Sequence, residues 1–252
     1  MRQAVLPSGS CCIAGIRKAM TERYSGYWLM FGPLVLLFLI LLGGCADMGR
    51  TTQSANVAAQ KYLEQRYGGT FTYSAPWGSF YAGKGTAQML FTSSELNAEV
   101  YVEARQEDGE YTFRDNYLAV KYRQQMEDAI QAVADDCFGS VKVFYEVYIQ
   151  PLNQELGPDT DFQEYSAHVN SSGVGTVAVS SAVFREDEVE TFVGRLSNAG
   201  LGAHLRLVVI DESQYEELDL AGVEMIIGTD AVHFSTVLDI QPGGTVKGSL
   251  EG

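Results

Sequence analysis

The sequence predicts an α+β fold in which mainly antiparallel sheets carry about three helices packed on one side. Two amphipathic helical patterns, at residues 118–137 and 186–199, each end at a glycine. Short runs of β-branched and aromatic residues come in groups around these helices and do not alternate with them one by one, which argues against a mostly parallel wound sheet. With 252 residues, 46% of them hydrophobic, the chain can bury one sizeable core or two small ones.

The first half of the predicted domain begins with a helix. Apolar residues recur at three- and four-residue spacing over 55–63, and Gly68-Gly69 stops the pattern. Strand character then appears in short stretches separated by glycine, serine and proline turns, at residues 70–74, 79–82, 87–92, 98–104 and 111–113.

The second helix has the clearest pattern in the chain. Its apolar face comprises Leu118, Tyr122, Met126, Ala129, Ile130, Val133 and Cys137. Asp115 or Asn116 can cap its start and Gly139 can close its end. A strand rich in β-branched and aromatic residues is expected at 141–149, where Pro151 ends it.

Residues 151–163 predict a linker, because they contain two prolines and little periodicity. An α+β subdomain is therefore expected at 54–150, and residues 164–252 form either a second subdomain or the continuation of a single domain. Both halves contain a helix, a glycine stop and an apolar strand, as two similar subdomains would. In the second half we expect extended chain at His168, a helix at 186–199, strands at 174–179, 203–211, 223–227 and 232–240, and a loosely attached tail at 242–248.

A hydrophobic segment of 16 residues, 27–42, ends just before two glycines and a cysteine. It is shorter than the ~20 residues that a membrane-spanning helix needs. The tetrapeptide Leu42-Gly43-Gly44-Cys45 resembles the lipobox of bacterial lipoproteins, in which an aliphatic residue and two small residues precede the lipid-bearing cysteine.

The lipobox resemblance implies a lipid anchor on the extracytoplasmic face of the cell membrane. Diacylglycerol would be attached to the thiol of Cys45, with acyl chains such as palmitate, and cleavage between Gly44 and Cys45 would release residues 1–44 as a signal peptide. Residues 45–53 would then be a short lipidated tether, and Met20 is an alternative start. The alternative is an uncleaved N-terminal membrane helix.

The charge of the mature part excludes nucleic acid as a partner. Four of the 17 basic residues and one of the 32 acidic residues precede Cys45, so 13 basic and 31 acidic residues remain, a net charge of −18. Affinity for a phosphate backbone comes from lysine and arginine, and an acidic surface does not adsorb to anionic lipid. Contact with the membrane is therefore expected through the lipid on Cys45.

The opening helix, the Tyr67-Gly68-Gly69 stop and the following strands resemble the small secreted PepSY-like modules and other lipoproteins of Gram-positive bacteria. This resemblance covers residues 54–104 and transfers no site residues.

No convergent catalytic set, metal site or cofactor motif is found in the sequence. Cys137 continues the apolar face of a helix, which predicts a packed thiol. Paired with His168, His204 or His233 it would suit an envelope hydrolase, the rival interpretation. The histidines lack the close spacing of metal ligands.

Three aromatic residues, Trp77, Phe80 and Tyr81, lie among glycine, serine and proline and are the predicted partner-binding residues. The sequence thus favours a non-catalytic interaction module of the cell envelope, which binds a protein, peptide or glycan. A small-solute-binding lipoprotein is a further alternative.

Overall fold

A computed structural model of the chain describes residues 55–78, 85–152, 156–168, 172–243 and 247–249. Residues 55–252 form one compact unit. The predicted signal peptide, Cys45 and the tether lie outside the described residues, as does the strand predicted at 79–82.

The described residues form six helices and nine strands. The helices are α1 (55–67), α2 (Tyr117–Phe138), α3 (Phe162–His168), α4 (Glu188–Asn198), α5 (Glu212–Tyr215) and α6 (Leu220–Ile226). The strands are β1 (Phe71–Pro76), β2 (Thr86–Ser93), β3 (Ala98–Glu107), β4 (Glu110–Asp115), β5 (Lys142–Val147), β6 (Gly173–Ser180), β7 (Ala203–Ile210), β8 (Val232–Ile240) and β9 (Lys247–Ser249).

The strands form two sheets, and the predicted α+β class with mainly antiparallel sheets is confirmed. Sheet A has the order β1-β2-β3-β4 and is antiparallel throughout. Sheet B has the order β5-β6-β7-β8-β9, and its one parallel pair among the described strands is β6 with β7. Helix α4 connects these two strands, since parallel neighbours need a long crossover.

Helix α2 forms where the four-residue apolar repeat predicts it. Leu118, Tyr122, Met126 and Ile130 are buried, and the helix ends at Gly139, whose φ of 85° is easy only for glycine. The side chain of Asn116 does not cap the helix. It accepts a hydrogen bond from Tyr101 N–H (2.7 Å) and donates one to Tyr148 O (3.1 Å), which joins sheet A to the chain just after β5.

One hydrophobic cluster runs through both sheets and the helices α1, α2 and α4, so the core is continuous over the described chain. Strand β5 belongs to sheet B although it precedes the predicted linker. A second, smaller cluster joins the opposite face of sheet B to α5 and α6, and contains Ala178, Val208, Ile210, Tyr215, Leu218 and Val223.

Three local predictions were wrong. The strand expected at 223–227 is part of α6, because Asp219 caps a helix there by accepting a hydrogen bond from Gly222 N–H (2.7 Å). His168 ends α3 and is not extended. The tail is not wholly loose, since β9 pairs with β8. The apolar pattern does not reveal the cap that begins α6, and the pairing of β9 with β8 is a contact that no local pattern contains.

The predicted linker at 151–163 packs against the domain in its described part. Leu152 N–H donates to Asp115 O at 2.9 Å, and the Tyr122 hydroxyl donates to Thr160 O at 2.6 Å. Leu152 and Thr160 are buried. These residues therefore belong to the body of the domain.

Candidate binding groove

An open groove of about 800 Å³ is lined by residues of both sheets. Its walls are residues 96–99 of the β2–β3 turn and β3, residues 120–127 on α2, and residues 144–147 of β5, with Leu220 of α6. The apolar lining residues are Leu96, Ala98, Val120, Phe144, Val147 and Leu220, and the charged ones are Glu99, Lys121, Arg123, Glu127 and Glu146. The groove therefore offers both apolar surface and charge of either sign.

One wall of the groove is a sheet edge that α2 partly closes. Strand β5 lies at the end of sheet B, with β6 as its strand neighbour. Its other edge faces three α2 side chains spaced four residues apart. The bonds are Tyr145 N–H to Glu127 Oε2 (2.9 Å), Val143 N–H to Gln131 Oε1 (3.1 Å), Val141 N–H to Asp135 Oδ1 (3.2 Å) and Gln131 Nε2 to Val141 O (3.1 Å).

Glu127, Gln131 and Asp135 form a side-chain ladder along the edge of β5. This ladder is possible because the repeat of the helix nearly matches the repeat of the strand. Four helical residues advance about 6 Å, and two strand residues advance about 6.6 Å. A polar stripe on α2 can therefore stay opposite the outward-facing groups of β5 for several steps. An uncovered strand edge is a template for pairing with another chain, and the ladder removes that template along most of β5.

The ladder stops at the groove. Its next step would pair Arg123, four residues before Glu127, with Val147, two residues after Tyr145. Successive N–H groups of a strand point to opposite sides, so the Val147 N–H, like that of Tyr145, points away from β6. Arginine has only donors, so it cannot accept this N–H. Within the described residues the Val147 N–H forms no hydrogen bond, and the edge of β5 is open there.

Arg123 is also the arginine without a partner in the described chain. Four of the others form ion pairs with carboxylates, and two donate to backbone carbonyl oxygens; these are Arg105, Arg185, Arg195 and Arg206, and then Arg66 and Arg114. The Arg123 side chain is exposed and lines the groove. Its guanidinium is available to an anionic group.

The opposite wall of the groove contains a second open edge. Strand β4 pairs with β3 only from Val102 onward. Residues 98–101 therefore have β2 on one side. On the other side, Asn116 bonds only to Tyr101 among these four residues, through its side chain and its backbone N–H. The chain leaves β4 to begin α2 at this point, and the edge at Ala98 and Glu99 faces the groove.

A buried carboxylate fixes the start of α2, the helix that forms the third wall. The hydroxyls of Tyr62 and Tyr67 donate to Asp115 at 2.7 and 2.9 Å, and Tyr117 N–H donates to it at 2.8 Å. Burial, together with the Asp115 carboxylate, raises the pKa of both tyrosines. They stay protonated as donors, so this cluster holds α1 against α2 and is unsuited to acid–base chemistry at neutral pH.

The structure does not bring the candidate catalytic residues together. Cys137 is buried near the end of α2, where burial raises the pKa of its thiol. The histidines have other partners: His168 Nδ1 lies 2.8 Å from Glu164 O, His204 Nδ1 2.7 Å from Asp239, and His233 Nε2 2.6 Å from Asp211. No hydrogen bond joins Cys137 to any of them in the described chain.

The predicted aromatic binding residues are only partly described. Trp77 follows β1, donates its backbone N–H to Gln88 O at 2.9 Å, and has a 41% exposed side chain. Phe80 and Tyr81 lie outside the described residues. Trp77 does not line the groove, and recognition at these three residues stays a prediction.

No protein-family model, curated protein or solved structure matches the chain. The geometry of the groove is therefore the main guide to function.

In the part of the chain that the structure describes, no helix is long and apolar enough to cross a membrane. No group of three or more histidine, cysteine, aspartate and glutamate side chains there could hold a metal ion.

Sequence reasoning missed the groove and the residues at the end of the ladder. A signal does exist, since Glu127, Gln131 and Asp135 repeat at four-residue spacing just before an apolar strand. The same spacing also occurs on any solvated helix face, so only the paired register of α2 and β5 gives it meaning.

Proposed function

We propose that the chain is a lipid-tethered protein on the extracytoplasmic face of the cell membrane, where its α+β domain acts as a non-catalytic module that binds an envelope partner in the groove. The observation that carries the proposal is the groove itself, where, among the described residues, two sheet edges are open beside an arginine that has no partner. The aromatic residues at Trp77, Phe80 and Tyr81 are a second candidate surface.

The sequence supports the lipid tether. The hydrophobic segment at 27–42 runs into Leu42-Gly43-Gly44-Cys45. Each buried methylene of a lipid chain contributes roughly 0.8 kcal/mol to membrane binding, so the two chains of a diacylglycerol hold a protein stably where one does not. The acidic domain itself is repelled by anionic lipid, which keeps its groove free for a partner.

Photo-crosslinking in intact cells of a producing bacterium tests both parts of the proposal. A benzophenone amino acid replaces Gln124, which lines the groove, and in a control replaces Glu190, an exposed residue on α4. We expect a discrete adduct from position 124 and none of that mass from position 190. In a Cys45→Ala background the position-124 adduct should be lost, because the protein no longer reaches its site. Equal crosslinking from both positions, or none from position 124, would overturn the binding function.

A further inference from the structure

We propose that the groove takes an extended peptide carrying an aspartate or glutamate side chain, which adds as a short strand to the open end of β5. This inference rests on the proposed binding function and names the chemical class of its partner. The backbone edge, the arginine and the apolar wall each support it.

The open backbone edge of β5 suits a partner in extended conformation. Val147 presents an N–H and a C=O on the side away from β6, and both face the groove end of the strand. A second extended backbone supplies an acceptor and a donor at this spacing, as in peptide recognition by strand addition. The protein already uses the same chemistry two ladder steps away, where the Gln131 amide both donates to Val141 O and accepts from Val143 N–H.

The arginine defines the charge of the partner. A guanidinium binds a carboxylate through two parallel hydrogen bonds, and Arg123 stands where the α2 ladder would otherwise contribute an acceptor. The ammonium of Lys121, 5.0 Å from the centre of the Tyr122 ring, lines the same wall. Glu127 lies on the same wall and accepts the Tyr145 N–H. A peptide carboxylate at the Arg123 end of α2, away from Glu127, therefore meets two cations.

The other walls restrict where that carboxylate can lie. Glu99 and Glu146 line the groove on β3 and β5, so an acidic group facing these strands is repelled. Leu96, Val120 and Leu220 offer apolar surface to the remaining side chains. Because the groove passes both open edges, an internal acidic residue suits it better than a terminal carboxylate.

The first experiment uses random peptides as the probe, so that no peptide sequence is assumed. A phage-displayed library of random dodecapeptides is selected on the full-length protein in detergent, and Arg123→Gln protein is used for counter-selection. Arg123 forms no hydrogen bond or ion pair in the described chain and its side chain is exposed, so this variant keeps the fold. We expect the selected peptides to share an aspartate or glutamate flanked by alternating β-branched residues.

Selected peptides are then synthesised with acetylated and amidated ends, and their Kd is measured by fluorescence anisotropy. Arg123→Gln should raise the Kd about tenfold or more, since charge-assisted hydrogen bonds are lost. Arg195→Gln, which removes another exposed arginine, on α4, should leave it unchanged. Replacing the acidic residue of the peptide by its amide should weaken binding to the wild type and not to Arg123→Gln.

Backbone methylation tests strand addition without altering the protein. N-methyl groups placed at successive residues of the peptide should weaken binding at every second position, because only one edge of the peptide faces β5. Equal effects at all positions, or Kd values insensitive to Arg123→Gln, would overturn the inference, and so would selected peptides that share no acidic residue. If the position-124 crosslink forms in cells while these results fail, the binding function stands and the peptide class is wrong. If both fail, the groove has no binding role.

Discussion

Removal of the Gln131 side chain is the sharpest test of how α2 closes the edge of β5. Gln131→Ala deletes two hydrogen bonds of 3.1 Å and leaves the Val143 N–H and the Val141 C=O without partners. Both valines are only 7% exposed, so water reaches these groups poorly. Two hydrogen bonds contribute about 2 kcal/mol, and the cost of the two orphaned groups brings the expected loss of unfolding free energy to about 2–4 kcal/mol.

Two variants of the same helix isolate this effect. Gln124→Ala removes an exposed glutamine that bonds only to the side chains of Glu127 and Asp128, and should change the free energy of unfolding by less than about 0.5 kcal/mol. Gln131→Glu keeps an acceptor for the Val143 N–H and loses the donor to Val141 O. Its loss should lie between those of the two alanine variants.

Urea unfolding of the full-length protein, followed by circular dichroism, measures these differences. Hydrogen exchange adds a local readout, since the Val143 amide should exchange faster in Gln131→Ala while the amides that pair with β6 stay protected. The interpretation of α2 as an edge cover is wrong if Gln131→Ala and Gln124→Ala are equally stable, or if the Val143 amide keeps its protection.

Three further predictions concern the buried groups. Asp115→Asn should lower the free energy of unfolding by about 2–3 kcal/mol, because the two tyrosine hydroxyls lose a charged acceptor, and an unchanged urea midpoint would contradict this. Cys137 should react slowly with a thiol reagent in the folded protein and quickly in denaturant, and fast labelling of the folded protein would revive the hydrolase interpretation. Burial raises the pKa of Tyr165, so the unfolded chain loses this proton first once the pH passes about 10. The Tyr165 contribution is complete below about pH 10 and falls above it by up to about 1.4 kcal/mol per pH unit, in addition to those of other tyrosines of raised pKa, such as Tyr62 and Tyr67. Tyr165→Phe should remove its share and make the fall less steep in pH-dependent urea titrations.

Repetition along the chain made the main elements of the fold predictable. Helices α2 and α4 carry apolar residues at helical spacing, and both end at a glycine, so a local pattern sufficed. Strands β1 to β8 could be predicted from β-branched and aromatic runs for the same reason, and β9 could not. Helix α6 was mistaken for a strand because its seven residues have too few turns to show a helical period, while Val223 and its neighbours are strand formers.

The groove could not be predicted, because it depends on which elements become neighbours. Arg123 is one exposed arginine among several in the sequence, and its role follows from its place one step beyond Glu127 in a ladder that faces β5. Pairing between a helix and a strand edge is a tertiary relation that no local window contains. The Asn116 link between Tyr101 and Tyr148 escaped prediction for the same reason.

The most direct test of a lipid-tethered module is the intact mass of the mature protein, extracted from membranes of a producing bacterium and compared with Cys45→Ala. We expect a wild-type chain that begins at Cys45 and carries a diacylglycerol, and no such species in the variant. A full-length wild-type chain without lipid would contradict the tether and make residues 27–42 a retained membrane segment.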